Sequence, residues 1–316
     1  MIKILVNDGI HPDGKTQLEA AGFQVDTDKV AQEDLPTQLP NYDVIVVRSA
    51  TKVRTDLIDQ CPNLKIIARG GVGLDNIDVD YARGKDVAVM NTPAASSQAV
   101  AELAFAHMFS LARFVYDSNR QMPSKGATEF KSLKKTYSKG VQLRGKNIGI
   151  IGFGRIGQET ARVAIGLGMN VIPVDPFIKE ATINMNVGGH DFSVTIPTVE
   201  MDQMLANADF LSLHIPFTGK AVLGKAEFSK MKDGLILVNA ARGGTVDEVA
   251  LLEALESGKV AAAGLDVFDS EPTPRKELLE HPRVSLTPHI GASTQAAQRN
   301  IGLELADQII AFFSKN

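Results

Sequence analysis

Asn147-Ile-Gly-Ile-Ile-Gly-Phe-Gly-Arg-Ile-Gly157, then a helical pattern to Gly168 and a second apolar run, Val171-Ile-Pro-Val174, stopping at Asp175, decides how this chain folds. Ile148 to Ile151 reads as a buried strand, and the residues after the glycines repeat with the period of an amphipathic helix. Gly152 permits a tight turn, Gly154 lets backbone approach a pyrophosphate, and Gly157 brings helix and strand close. The helix N-terminus then offers unpaired N–H groups to phosphates. Asp175, eighteen residues past the last glycine, is placed to accept hydrogen bonds from an adenosine ribose. Glycines at this spacing also punctuate ordinary turns. A strand before them, a helix after and an acid at this distance make dinucleotide binding the stronger reading.

The same alternation continues downstream. Strands are expected at Asp209–Ile215, Leu235–Asn239, Val260–Leu265 and Val284–Thr287, with helices at Thr198–Ala206, Lys225–Met231 and Val246–Gly258. Upstream, residues 1 to about 90 carry their own strands at Ile2–Val6, Asp43–Val47, Leu64–Ala68 and Val87–Met90. The predicted fold class is therefore α/β: two Rossmann-like or flavodoxin-like doubly wound parallel-sheet domains separated by a cleft. A chain of 316 residues suits about two domains. From Ser97 to about Arg120 the pattern is helical and apolar nearly all round, which predicts a buried helix, with His107 a packed core residue. Residues 121–142, with Pro123 and Gly126, read as a loop-rich excursion. The stretch through Gly188-Gly189 reads as a glycine-broken surface segment, and Gln295 to Phe313 as another amphipathic helix.

Composition excludes several classes. The net charge of −4 carries no basic stripe, which argues against nucleic acid and anionic membranes as partners. No apolar run approaches the ~18 residues of a membrane span, and the N-terminal run is too short for a signal-peptide core. Cys61 is the single cysteine, so no intrachain disulfide is possible and a reducing, cytoplasmic compartment is expected. Cys61 has no acidic or histidine cluster at metal-ligand spacing around it; no metal is expected.

Three predicted strand ends in the second half carry chemistry: Arg242 in Asn239-Ala-Ala-Arg-Gly-Gly, Glu271 in Asp266-Val-Phe-Asp-Ser-Glu-Pro, and His289 in Leu286-Thr-Pro-His-Ile-Gly. Hydride transfer between a hydroxy acid and a nicotinamide needs a base for the hydroxyl proton, a forked cation for the carboxylate, and an acid that sets the base. Any one of the three alone could be a surface or turn residue; together, downstream of the fingerprint, they favour catalysis. His214 and His281 are weaker candidates, His214 for shaping the cofactor site and His281 for ending a helix. In the first domain, Arg48, Ser49, Thr51 and Lys52 follow a buried strand. A cation with two hydroxyls there suits a phosphate, while the N–H groups of Gly71-Val72-Gly73 suit a carboxylate.

Gly-Phe-Gly-Arg-Ile-Gly, His-Ile-Pro, Asn-Ala-Ala-Arg-Gly-Gly, Gly-Leu-Asp-Val-Phe-Asp-Ser-Glu-Pro and Thr-Pro-His-Ile-Gly-Ala-Ser-Thr resemble, in order, the signatures of the D-isomer-specific 2-hydroxyacid dehydrogenases. The likeness covers essentially the whole chain. Val-Arg-Ser-Ala-Thr-Lys-Val and Gly-Gly-Val-Gly-Leu-Asp-Asn-Ile-Asp are most similar to the branch that oxidises a phosphorylated 2-hydroxy acid, 3-phosphoglycerate. The resemblance implies NAD as cofactor, Arg242 on the substrate's carboxylate and carbonyl, His289 as acid/base and Glu271 as its partner. It implies that the cofactor lies along Gly152, Gly154, Arg155, Ile156, Gly157 and Asp175, then His214, Ile215 and Pro216. Further contacts would come from Ala240, Ala241 and Arg242, from Asp266 at the nicotinamide carboxamide, and from His289, Gly291 and Ala292. Arg48, Ser49, Gly71, Val72 and Gly73 would hold the substrate with Arg242.

The family organisation implies residues 1–95 as substrate-binding domain completed by 292–316, residues 96–291 as NAD-binding domain, and a homodimer paired through the long apolar helix. Two departures stand out. Leu133 and Lys135 occupy positions where branch members carry Trp and Arg, and the chain ends at Asn316, where longer members continue into a regulatory domain. A glyoxylate, hydroxypyruvate or D-lactate type reductase and an NADH-sensing corepressor-like binding protein are the alternative readings.

Overall fold

The computed structural model describes residues 1–315. By internal contacts the chain divides into two compact units, one of Met1–Ser97 with Ala292–Asn316 and the other of Gln98–Gly291. In the first, five parallel strands β1 (Lys3–Val6), β2 (Gln24–Asp26), β3 (Val44–Val47), β4 (Ile66–Arg69) and β5 (Ala88–Asn91) lie in the order β2-β1-β3-β4-β5, the flavodoxin-like winding. All four residues of β3 are buried, as expected of a β-branched run covered on both faces. One face packs Leu5, Ile45, Val47 and Ile67. The other packs Ile4, Val6, Val44, Val46 and Ile66 under Ile301, Leu305 and Ile309 of the helix Gln295–Lys315. That helix crosses the helix Pro12–Ala20 so closely that a Cβ on Gly14 would lie 2.5 Å from the Gly302 carbonyl oxygen.

The second unit has six parallel strands: β6 (Asn147–Ile151), β7 (Asn170–Val174), β10 (Phe210–Leu213), β11 (Leu235–Asn239), β12 (Val260–Leu265) and β13 (Val284–Leu286). Their order is β13-β12-β11-β10-β6-β7. Chain order reverses between β6 and β10, which is the switch point where open sheets of this kind bind ligands beyond their carboxyl ends.

Three stretches depart from the sequence expectations. Residues after Asp175 form an antiparallel hairpin, β8 (Glu180–Val187) and β9 (His190–Pro197), joined by Gly188 and Gly189 at φ 60° and 83°. Both angles lie in the left-handed region that a two-residue hairpin turn requires. Its apolar face buries Ile183 and Ile196, and its polar face is bonded across the strands, as between Ser193 and Asn184. Residues 121–142 are mostly helical rather than loop-rich: a helix runs over Val115–Thr136 through Pro123, with a kink at Glu129 (φ −118°, ψ 20°), and good helix formers on both sides of the proline offset its lost hydrogen bond. The pattern from Ser97 is also two helices rather than one, broken at Phe114 with φ 54°. Neither is covered all round, because Phe109 and Val115 are exposed.

Candidate active site

The turn after β6 is built as its glycines suggested. Gly152 has φ 91°, and a Cβ on it would lie 2.5 Å from the carbonyl oxygen of His214. A Cβ on Gly157 would lie 2.1 Å from the Gly152 carbonyl oxygen, so helix and strand touch backbone to backbone. Gly154 differs, because a Cβ there meets no atom of the protein. Among the described residues no acceptor takes the N–H groups of Arg155, Ile156 and Gly157 at the start of the helix Arg155–Gly166. Open space over unpaired donors fits a diphosphate. Asp175 accepts from Phe153 N–H through Oδ2 and from Phe177 and Ile178 N–H through Oδ1, at 2.8 to 3.0 Å. The carboxylate is thereby fixed at the edge of the turn while remaining partly exposed.

Asp175, with Pro176, Phe177 and Ile178 after it and no cation among them, should repel a 2′-phosphate. NAD(H) should therefore be used more efficiently than NADP(H), and Asp175→Ala should narrow the gap by roughly ten- to a hundredfold. Equal kcat/KM of the wild type with both cofactors would count against this role.

His214, at the end of β10, bonds through Nε2 to Thr160 Oγ1 and Ser212 Oγ. Burial pushes its pKa down to about 3, and its Nδ1 is fully enclosed without a partner among the described residues. The unfolded chain, with a histidine near its ordinary value of about 6.5, binds this proton first as the pH falls. Stability is thus intact above about pH 6.5 and is lost on acidification toward pH 3, by at most ~1.4 kcal/mol per pH unit for one group. Urea unfolding of wild type and His214→Asn across this range should show the steeper loss in the wild type; parallel curves would remove His214 from the account.

Arg242, Glu271 and His289 come together beyond β11, β12 and β13. Gly243 sits against the backbone after β12, where a Cβ would lie 1.9 Å from the Phe268 carbonyl oxygen. Glu271 Oε2 is 2.8 Å from His289 Nδ1 and its Oε1 accepts from Phe268 N–H at 3.0 Å. Burial alone would raise the Glu271 carboxyl. The hydrogen bonds from His289 and Phe268 and the Arg242 charge outweigh it and hold the pKa below the usual range. His289 therefore has one nitrogen tied to a carboxylate and a side chain 46% exposed, leaving Nε2 for a substrate. Its backbone lies at φ 54°, a conformation that costs a non-glycine residue ~1–2 kcal/mol. Arg242 donates through Nη1 to the Ala241 carbonyl at 2.7 Å.

Some partners of these loops were not singled out in the sequence. Asn239 caps the Arg242 turn, donating to the Arg242 carbonyl and Thr245 Oγ1 and accepting from Ala241 N–H. Ala240 and Ala241 are buried beneath it. Asp269 Oδ1 accepts from Gly244 N–H. Asparagine at a strand end, two residues before the turn, is the signal that could have marked the first. Asp266 is 1% exposed, and its carboxylate accepts from Thr287 Oγ1, Ile290 N–H and Gly291 N–H; it brackets the loop that carries His289. Ile215 is partly buried against Gly152 and Pro216 is exposed, and Ala292 accepts from Gln298 within the first unit.

In that first unit the loop after β3 wraps a carboxylate. Asp8 Oδ2 accepts from the N–H groups of Arg48 and Thr51, and Asp8 Oδ1 from the Thr51 hydroxyl. Thr51 is therefore no ligand hydroxyl, contrary to the sequence reading. It is buried and spent on Asp8. Ser49 and Lys52 are exposed, and no side-chain partner for the Arg48 guanidinium is found among the described residues. Gly71 lies at φ 152°, and no backbone acceptor takes the N–H groups of Val72 and Gly73 among the described residues.

A dinucleotide cradle with a histidine, a carboxylate and an arginine at neighbouring strand ends defines a nicotinamide-dependent oxidoreductase. Residues 105–291 match the family model described as D-isomer specific 2-hydroxyacid dehydrogenase, NAD binding domain. The chain belongs to this family of NAD-dependent D-2-hydroxyacid dehydrogenases. It is 44% identical to a hydroxypyruvate reductase of Thermotoga maritima over 97% of each chain. It is 40% identical to a D-3-phosphoglycerate dehydrogenase of Archaeoglobus fulgidus over 98% of this chain but 57% of that longer protein. A glyoxylate reductase from Paecilomyes thermophila superposes with a TM-score of 0.84 at 29% identity, covering 100% of this chain and 96% of its own.

Proposed function

We propose that the protein oxidises D-3-phosphoglycerate to 3-phosphohydroxypyruvate, the reaction that opens serine biosynthesis, with NAD. Bound NAD supplies the hydride-accepting ring. Arg242 holds the substrate's carboxylate and the oxygen on C2. His289, neutral and held through Nδ1 by Glu271, takes the hydroxyl proton on Nε2 as that oxygen becomes a carbonyl. In the reverse direction the imidazolium returns the proton. The observation that carries the choice of substrate is Arg48, whose guanidinium has no side-chain partner among the described residues, on the same unit as the open N–H groups of Val72 and Gly73. A cation and two amides on the substrate domain suit an acid with a second anionic end.

Hydroxypyruvate or glyoxylate reduction is the second reading. It is favoured by the full-length likeness to the Thermotoga maritima reductase and by Asp8, whose negative charge lies under the Arg48 loop. A panel of 3-phosphohydroxypyruvate, hydroxypyruvate, glyoxylate and pyruvate, run with wild type and Arg48→Ala, separates the two. The phosphoglycerate reading expects Arg48→Ala to lose roughly ten- to a hundredfold in kcat/KM with the phosphorylated acid alone. A wild type that reduces hydroxypyruvate or glyoxylate far better, or an equal loss with every acid, hands the assignment to the reductase.

A homodimer through the NAD-binding unit belongs to the same proposal. Phe109, Val115, Met122 and Phe130 on the helices Ser97–Ala112 and Val115–Thr136 are exposed apolar side chains that a second copy would cover. No single helix among the described residues is long and apolar enough to cross a membrane.

A further inference from the structure

Beneath the His289 loop, the buried side chains of His107 and Ser285, which the reaction leaves unused, connect through Thr287 to Asp266. His107, on the helix Ser97–Ala112, is 3% exposed. Its ring reaches Ser285 Oγ through Nδ1 and Thr287 Oγ1 through Nε2, each at 3.0 Å. Thr287 Oγ1 lies 2.6 Å from Asp266 Oδ1, and Asp266 also holds the N–H groups of Ile290 and Gly291 at 2.8 Å. His289 sits inside that bracket. The helix therefore touches the acid/base loop through two side chains in series.

The hydrogens in this series have one consistent direction. Both Asp266 oxygens already accept from backbone N–H groups, so the carboxylate is the acceptor and the Thr287 hydroxyl hydrogen points to it. Thr287 Oγ1 must then accept from the ring, which places the ring hydrogen on Nε2. Burial pushes the His107 pKa down against the opposing pull of the Asp266 charge, so the ring is neutral. Its Nδ1 lone pair takes the hydroxyl hydrogen of Ser285. The other tautomer would turn the Thr287 hydroxyl toward the ring and leave Asp266 Oδ1 with one donor in place of two. Gly264 on β12 is what admits the imidazole, since a Cβ there would lie 2.7 Å from His107 Cβ.

We propose that His107 is a positioning residue for the reaction: as the Nε2–H tautomer it aims the Thr287 hydroxyl at Asp266, which holds the His289 loop in its left-handed backbone. The inference rests on the reading of His289 as acid/base. Neither Ser285 nor Thr287 needs to touch substrate for it to hold. What is transmitted is the orientation of one hydroxyl.

His107→Leu removes the donor and fills most of the space, and Thr287→Val removes the hydroxyl without changing shape. Each should lower kcat roughly tenfold, with the substrate KM and the Kd of NADH, read by nicotinamide fluorescence, within about twofold of wild type. His107→Gln, which returns an N–H near the Nε2 position, should recover most of the rate. The double variant should be no slower than either single one, because both break the same series. A His107→Leu enzyme at wild-type kcat, a His107→Gln as slow as His107→Leu, or a double variant that multiplies the two losses would overturn the proposal. If His107→Leu does not fold, Thr287→Val against Thr287→Ser carries the same decision, with serine expected to retain the rate and valine to lose it. The two readings fail separately: an active His289→Ala removes the acid/base assignment, whereas an inactive His289→Ala beside an unimpaired His107→Leu removes only this inference.

Discussion

His289→Ala should slow turnover by roughly 10²–10⁴-fold while NADH still binds with near wild-type affinity. The size follows from what is lost. With no base at the hydroxyl, the proton must go to water, and the remaining groups contribute only binding and charge. NADH affinity should survive because the N–H groups proposed for the diphosphate, at Arg155, Ile156 and Gly157, and the carboxylate proposed for the ribose, Asp175, follow β6 and β7 and lie outside the His289 loop. Glu271→Gln tests the pair more finely. Glu271 Oε2 lies 2.8 Å from Nδ1 and orients the ring, while its Oε1 takes the Phe268 N–H. A glutamine amide has one acceptor oxygen for these two donors, so Glu271→Gln should lower kcat roughly tenfold with little change in the Kd of NADH. A Glu271→Gln enzyme at wild-type kcat would separate Glu271 from the acid/base step. Turnover surviving in His289→Ala could not be passed to His214, whose Nδ1 is enclosed and whose Nε2 is taken by Thr160 and Ser212.

What could be read before the structure, and what could not, follows the range of the physics involved. The fingerprint was legible because its demands are local. The φ of 91° at Gly152 and the 2.1 Å approach at Gly157 are things only glycine meets, and both lie within a dozen residues. The strand-end positions of Arg242, Glu271 and His289 were legible for the same reason, through apolar runs that stop at polar residues. The hairpin was also written in the chain: Ala181, Ile183, Met185 and Val187 alternate, and two glycines follow. Reading the stretch only as a glycine-broken surface segment passed over that period of two. In the helix Val115–Thr136, Pro123 and Gly126 outweighed their helix-forming neighbours in the reading, though not in the fold. Thr51 was misjudged for a different reason. Its hydroxyl answers to Asp8, 43 residues earlier, and no pattern along a strand reveals which side chain waits across the sheet.

Arg242→Lys should cost roughly 10²–10³ in kcat/KM, and should cost it equally with every 2-oxo acid tested. The equality matters as much as the size. The carboxylate and the adjacent oxygen are common to all such substrates, so a residue that serves them cannot discriminate between distal groups. Lysine keeps the charge but loses the planar fork that meets a carboxylate with two parallel bonds. It also loses the Nη1 bond to the Ala241 carbonyl, which helps to aim the guanidinium. The loop itself should be unaffected. Its backbone is held by Asn239 and Thr245 on the Arg242 carbonyl and by the Gly243 contact with Phe268, none of which uses the arginine side chain. The melting temperature should therefore change little while activity collapses. Set beside Arg48→Ala, the result separates two proposed roles: a loss uniform across the acids for Arg242, and a loss confined to the phosphorylated acid for Arg48. An Arg242→Lys enzyme within tenfold of wild type would mean that charge alone suffices and the fork is idle. A loss that varied with the distal group would move Arg242 from the carboxylate to the specificity end of the substrate.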